Sequence, residues 1–359
     1  MVVAQQAPIS SLRFLGEYAL PRIMVYKNTS VGGLSGIDYD AKQNQYYLIS
    51  DDRSAINPAR FYTAKIKLSA KGIDSVWLTA VTTLKRKDGS TYPNAQQDAA
   101  KTPDPESIRY NPLTGLLLWT SEGERVVGDS GNVLENPGIF SINKNGNYVD
   151  TFPLPSNLKM QAIEKGPRQN AVLEGLTYAD HYQTLYTNVE EPLYEDGPRA
   201  DVTENDAYIR IFKYKVSTKQ NVAQYAYKLS PVAKAPVPES AFKMNGASEI
   251  LSVDSTHLLV MERSFTMSPP GFTIRIYLAD LSGAEDIKDN PSLKATPPQR
   301  PVRKQLLLDM DDLHIYTDNI EGITFGPRLP NGHQTLICVA DNNFKIYEKP
   351  QFLLFEVIP

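Results

Sequence analysis

A strand pair recurs along the chain, and its spacing restricts the fold more than any other feature. Its clearest copy is Leu173-Glu174-Gly175-Leu176-Thr177-Tyr178, then Leu185-Tyr186-Thr187-Asn188-Val189-Glu190-Glu191. A near-duplicate lies close to the end: Ile320-Glu321-Gly322-Ile323-Thr324-Phe325, then Leu336-Ile337-Cys338-Val339-Ala340-Asp341-Asn342. Weaker copies begin at Ser35, Glu106 and Glu249 and lead to Asp51-Asp52, Glu122 and Glu262. With starts at 35, 106, 174, 249 and 321, the steps are 71, 68, 75 and 72 residues. A regular step of this kind marks an array of similar units. Gly, Pro, Asn and Asp between the paired strands, as in Asn111-Pro112-Leu113-Thr114-Gly115, supply hairpin turns.

Each pair is followed by further alternating segments. Residues 60–68 and 76–81 follow the first pair, 138–142 and 148–152 the second, 208–214 and 222–227 the third, and 272–277 and 304–308 the fourth. The last pair has only 352–358 after it, while 11–20 precedes the first pair and belongs to no complete unit. An orphan strand at one end and a missing one at the other predict an all-β ring, a single β-propeller closed by pairing of Leu12–Leu20 with Phe352–Ile358. The expectation is five four-stranded blades, or six if Lys85–Lys101 hides strands rather than a loop. Polar insertions fall at 85–102, 158–170, 194–206 and 282–300, and loops of that length in compact domains are usually functional or mobile. One domain over 11–359 is expected, with residues 1–10 a disordered segment or signal-peptide remnant.

The net charge of -4 and the lack of a basic run with interleaved aromatics argue against a nucleic-acid partner. No apolar run is long enough to span a bilayer. Cys338 is the single cysteine, so no disulfide or thiolate zinc site forms within one chain; its apolar strand makes it buried filler. His181, His257, His314 and His333 form no H-E-x-x-H pair. No G-x-S-x-G elbow occurs, and Gly32-Gly33-Leu34-Ser35-Gly36 lacks the lysine of a P-loop and reads as a tight turn.

The repeat also places charge. In a propeller the first strand of each blade lines the channel, and its start shares a face with the end of the second. Ser35, Glu106, Glu174, Glu249 and Glu321 occupy the starts, and Asp51, Glu122, Glu190, Glu262 and Asp341 the ends. Carboxylates crowded at one mouth raise one another's pKa. Hard cations relieve this, and calcium accepts many oxygen ligands. Arg53, Arg60, Arg109, Arg125, Arg263 and Arg275 recur nearby and, with a cation, suit an anionic ligand such as phosphate. The alternative is that acids at blade corners hold backbone amides and fix the turns.

Val31-Gly32-Gly33-Leu34-Ser35-Gly36-Ile37-Asp38-Tyr39, Leu48-Ile49-Ser50-Asp51-Asp52-Arg53, Asp104-Pro105-Glu106-Ser107-Ile108, Thr120-Ser121-Glu122-Gly123-Glu124, Glu174-Gly175-Leu176 and Asn319-Ile320-Glu321-Gly322-Ile323 recur in order over nearly the whole chain. This ordered set resembles the phytase-like family described as esterase-like activity of phytase. More distantly it is similar to calcium-dependent β-propeller phytases, which hydrolyse phosphomonoesters at an acidic mouth. The resemblance implies a bacterial, exported protein, periplasmic or extracellular. The expected function is a metal-dependent phosphoric ester hydrolase. Glu174, Glu190 and Glu321 would be catalytic, and Arg53 and Arg263 would hold a small anionic substrate. Calcium would be held among Asp51, Glu106, Glu122, Glu174, Glu190, Glu249, Glu321 and Asp341. The chain is expected to be a monomer. Alternatives are a non-catalytic binding or scaffolding propeller and a calcium-dependent lactonase or esterase.

Overall fold

The structure is a computed structural model that describes residues 8–69, 72–129, 131–267 and 270–359. Five four-stranded antiparallel sheets form the blades of a β-propeller. The first blade contains Leu34–Asp40, Gln45–Ser50, Arg60–Ser69 and Gly72–Thr83; the second Pro105–Asn111, Leu116–Ser121, Gly138–Ile142 and Tyr148–Thr151. The third contains Leu173–Ala179, Thr184–Val189, Tyr208–Lys215 and Gln220–Lys228; the fourth Lys243–Ser252, His257–Met267, Pro270–Asp280 and Arg303–Asp309. Asn319–Phe325, Thr335–Asp341 and Gln351–Ile358 make the fifth, and Ser11–Ala19 completes it. Every strand read from the sequence is present. In each blade the strand that comes first in the repeat is the inner one, and the inner strands of successive blades touch around the channel.

Closure follows the expected pairing. Leu12 faces Val357 and Tyr18 faces Phe352, with a bulge between Phe14 and Gly16. The Phe14 ring lies 5.5 Å from that of Phe355. Ile9 is buried, and the Ser10 amide donates to the Ile358 carbonyl. Ile9 and Ser10, which fall in the segment expected to be a disordered remnant, are thus part of the fold, Ile9 packing into the core beside Leu12 and Val357; residues 1–7 lie outside the described residues.

The stretch that left a sixth blade open is a loop. It carries a single bridge between Lys85 and Thr91, a four-residue helix Ala95–Asp98 capped by Asn94, and a short 3-10 turn. Two small hairpins, Val25–Tyr26 with Thr29–Ser30 and Glu124–Gly128 with Gly131–Glu135, escaped the sequence reading. They are too short or too polar to show an alternating apolar pattern. Apolar layers fill the spaces between blades, as where the Tyr47 ring of the first blade lies 5.4 Å from that of Tyr110 in the second. Cys338 is buried in one such layer beside Leu353 and Phe355. Among the described residues, no helix is long and apolar enough to cross a membrane.

Removing residues 1–20 strips the outer strand from the fifth blade and exposes the edge of Gln351–Ile358. A sheet edge that pairs eight of its residues with the deleted strand becomes a template for aggregation. Light scattering on heating is expected to begin at a lower temperature in the truncated protein, and its Tm to fall; an unchanged melting curve would contradict closure by this strand.

Candidate functional site

The inner strand of every blade carries a β-bulge near its start. The ladder slips between Leu34 and Gly36, Pro105 and Ile108, Leu173 and Leu176, Ala247 and Glu249, and Ile320 and Gly322. A bulge adds a residue and re-aims its side chain. Aligned on the bulges, Ser35, Glu106, Glu174, Ser248 and Glu321 are equivalent. The position after each is Gly36, Ser107, Gly175, Glu249 or Gly322. At Gly36, Gly175 and Gly322 the neighbouring blade approaches too closely for a side chain. A Cβ on Gly322 would stand 2.9 Å from the Ser35 carbonyl, and one on Gly175 would stand 2.6 Å from the Ile250 amide nitrogen.

This register corrects the placement of Glu249. The fourth copy was aligned one residue late, so Glu249 occupies the glycine position and reaches across the channel instead of facing the mouth. Its Oε1 accepts from the Leu176 and Ile250 amides, both at 3.0 Å. Its Oε2 accepts from Ser107 Oγ at 3.0 Å and pairs with Arg109 at 2.8 Å. Arg109 in turn donates to the carbonyls of Leu176, Ile37, Ile108 and Ile250. All the donors of one side chain and the lone pairs of the other are occupied. Glu249 thus has no lone pair left for a cation. Glu262 is likewise occupied, by Tyr227 of the third blade, by the Ser230 amide that follows that blade, and by Asn245 and Lys304 of its own blade.

On one side of this plug opens a cavity of about 1030 Å³. Asp51, Glu106, Glu122, Glu174, Glu321 and Asp341 line it, as the repeat predicted. Glu190 lies just beneath, its Oε1 2.7 Å from Arg263 Nη2, while Glu321 Oε1 is 2.9 Å from Arg263 Nη1. Gly246 makes room for Glu190, since a Cβ there would fall 2.5 Å from Glu190 Cγ. Gly33, with φ of +61°, admits Asp51 in the same way: its Cβ would fall 1.9 Å from Asp51 Oδ1. The tight turn read at Gly32-Gly33 therefore makes space for a carboxylate.

Asp104 also lines the cavity and was not singled out, although it stands two residues before Glu106 in the same motif. One oxygen from each of Asp104, Glu106 and Glu122 can be chosen so that all three lie within 4.8 Å of one another. Among the described residues, no protein hydrogen bond reaches the carboxylates of Asp51 and Glu106. Asp104 has Arg53 at 3.5 Å, and Glu122 Oε1 accepts from the Val172 amide. One oxygen each of Glu190 and Glu191 is buried without a partner. All-oxygen donors with unused lone pairs fit a hard divalent cation.

Of the arginines near the mouth, only Arg53 and Arg263 line the cavity. Arg60 is buried against Asp52 at 2.7 Å, Arg275 pairs with Asp309, and Arg125 stacks 4.9 Å from the Tyr194 ring and donates to loop carbonyls. Arg53 holds Glu124 at 2.7 Å.

The acids carry the electrostatic strain of this arrangement. Burial, then the neighbouring Glu174, Asp104 and Glu122, push Glu106 well above the usual carboxylate range. Asp104, Glu174, Asp51 and Asp341 are raised likewise, burial being the largest cause in each. Burial and Glu190 push Glu122 up to about 7. Burial opposes the charge on Arg263, but Glu321, Glu190 and Glu174 outweigh it and hold the guanidinium charged.

The profile of the phytase-like family, described as esterase-like activity of phytase, matches residues 29–344. The chain belongs to this family. No match was found among curated proteins. Solved structures that this chain is similar to include the endo-arabinase of Bacteroides thetaiotaomicron, 12% identical with a TM-score of 0.44, covering 98% of this chain and 96% of that one. The α-L-arabinofuranosidase of Lactobacillus brevis is 10% identical with a TM-score of 0.48, covering 94% and 92%. The periplasmic gluconolactonase of Pseudomonas aeruginosa is 9% identical with a TM-score of 0.36, covering 92% and 90%. At these values the likeness carries no inference about chemistry.

Two measurements test the electrostatics. Arg109→Met leaves Glu249 buried and unpaired, and is expected to lower stability by about 3–5 kcal/mol in denaturant titration. Pairing it with Glu249→Gln should recover a large part; equal losses in the single and double variants would show that the ion pair is not the cause. The second concerns pH in chelator-containing buffer. Glu122, with a folded value of about 7 against an ordinary 4.5, holds a proton in the folded state that the unfolded chain has released. The folded state then binds more protons, so the slope of unfolding free energy with pH is negative. Stability is expected to fall as pH rises from about 5 to about 7, and a rise over that window would contradict the assignment.

Proposed function

We propose that this phytase-like protein is a metal-dependent phosphoric ester hydrolase working at the acidic mouth. The carrying observation is the convergence of Asp104, Glu106 and Glu122, with donor atoms within 4.8 Å and lone pairs that the protein leaves unused. Asp104, Glu106 and Glu122 would hold the cation, with Asp51, Glu174 and Asp341 around it. Calcium is the choice because every donor is oxygen and the donors are numerous. When bound, it would supply the positive charge that lets a phosphate approach this floor, and it would polarise the phosphoryl oxygens.

The remaining work falls to the side chains. Arg53, a third exposed at the rim, offers N–H groups to a phosphate oxygen. Arg263 sits between Glu190 and Glu321 and fixes the position of both. Its terminal nitrogens are already engaged, so it orients the floor rather than gripping substrate as the sequence reading had it. Glu174 faces the cavity from its bulge and accepts a proton from the attacking water. A bond forms from the water oxygen to phosphorus, the bond to the ester oxygen breaks, and the leaving alcohol takes up a proton. Glu321 and Glu190 act by positioning. An exported location suits such a site, because extracellular calcium modules bind with Kd of roughly 10⁻⁴–10⁻³ M.

Calcium at about 100 times its Kd is expected to stabilise the protein by about 2.7 kcal/mol. Glu106→Gln removes a charge at a carboxylate that no protein donor holds. The variant is expected to be at least as stable as the parent in chelator, yet to lose most of the calcium-dependent shift together with phosphate-ester turnover. A Tm indifferent to both calcium and chelator would remove the metal from the mechanism. Calcium binding without turnover of phosphate esters, lactones or carboxylic esters would favour a binding propeller, and turnover of lactones or carboxylic esters alone would favour the lactonase or esterase alternative.

A further inference from the structure

The mouth is not evenly acidic. In the fourth blade the inner strand begins at Lys243, four residues ahead of Ala247 beside the bulge, whereas in the first, second and third blades it begins next to the bulge. Four residues of strand are about 13 Å, so this blade stands above the floor as a wall. Met244 faces Phe265 in the ladder, and Phe265 faces Phe272. All three line the cavity, and the Phe265 and Phe272 rings lie 4.9 Å apart. Phe242, two residues before Met244 and 47% exposed, extends the row. Along the second strand of the same blade, Arg263 and Phe265 are two residues apart and so share a face. That places the charged floor and the apolar row about 7 Å from one another.

Apolar side chains in a row at the edge of a polar cavity are a binding feature, because they stay in water only at a cost that a ligand removes. We propose that the site takes amphiphilic phosphate monoesters, the phosphate over the acidic floor and an aromatic group packed on Met244, Phe265 and Phe272. The inference rests on the ester-hydrolase reading of the same site and adds the substrate class. A separation of about 7 Å fits one aromatic ring joined through the ester oxygen to phosphorus. Hydrolysis forms one bond from water oxygen to phosphorus and breaks the bond to the aryl oxygen, which leaves as a phenol on taking a proton. A polyhydroxylated alcohol would leave the ring faces wet and gain nothing from them.

Calorimetry on the calcium-loaded protein with phenylphosphonate and methylphosphonate tests the wall without requiring turnover. Phenylphosphonate is expected to bind about tenfold more tightly or better. Phe265→Ala should bring the two within about threefold by weakening phenylphosphonate alone, and Phe265→Leu, which keeps the wall apolar, should retain most of the preference. Equal affinities in the parent, binding of neither phosphonate, or a Phe265→Ala variant that weakens both alike would each overturn the proposal. Turnover of phenyl phosphate and glycerol phosphate, measured alongside, separates the two readings. An aryl preference in binding with no hydrolysis of either ester upholds the wall and removes the hydrolase. Hydrolysis of both esters with no aryl preference in binding removes the wall and leaves the hydrolase.

Discussion

The Arg109 guanidinium crosses the channel where the inner strands meet and donates to carbonyls of the first, third and fourth blades as well as its own. A propeller ring has no central apolar core to hold it, so the backbone groups facing the axis must find partners or water. Arg109 with Glu249 provides them in one place. A buried ion pair stabilises only when its remaining donors and acceptors are satisfied, and here they are. The pair also separates the acidic cavity from a second opening of about 970 Å³ on the opposite face, which Arg109 lines. Charge on the floor of the mouth is thus held away from a continuous water-filled pore.

The bulges explain how a strand fold concentrates acids. An unbroken strand sends alternate side chains to opposite faces, whereas a bulge turns one residue out of that alternation. Repeating the device around the ring aims Glu106, Glu174 and Glu321 at one cavity, and the second-strand ends add Asp51, Glu122 and Asp341. Burial and mutual repulsion then raise these groups together. Protons or a hard cation are the two ways to relieve them, and they compete for the same oxygens. Fold and floor chemistry are therefore one constraint: the ring that brings the acids together also creates the demand for something positive among them.

Most of this ring was legible in the chain because period-two alternation and turn residues act locally. The orphan segment 11–20 and the short last unit revealed closure, and the steps between copies revealed the number of blades. What could not be read was register within a copy. In Ala247-Ser248-Glu249-Ile250, an acid stands where other copies have Gly or Ser, and only the bulge pairing shows that it points across the channel. Arg60, Arg125 and Arg275 raised the same difficulty. Arginine near a mouth in sequence becomes a structural residue once a buried partner such as Asp52 claims it. Asp104 was within reach, since it begins a quoted motif, but it precedes the strand and so fell outside the repeat comparison.

The fourth blade departs from its siblings twice, and both departures act at the site. Putting Glu249 in place of a glycine spends that acid on closing the channel and leaves uncharged Ser248 at the bulge. The mouth consequently has fewer carboxylates on this side, and Arg263 stands there between Glu190 and Glu321. Lengthening the strands then raises Met244, Phe265 and Phe272 beside that neutralised edge. An apolar row next to unpaired carboxylates would face a strongly hydrated surface, whereas beside a paired guanidinium it faces groups whose charge is already compensated. The repeat supplies the acidic floor, and the one blade that breaks the repeat supplies the side on which a less polar group can rest.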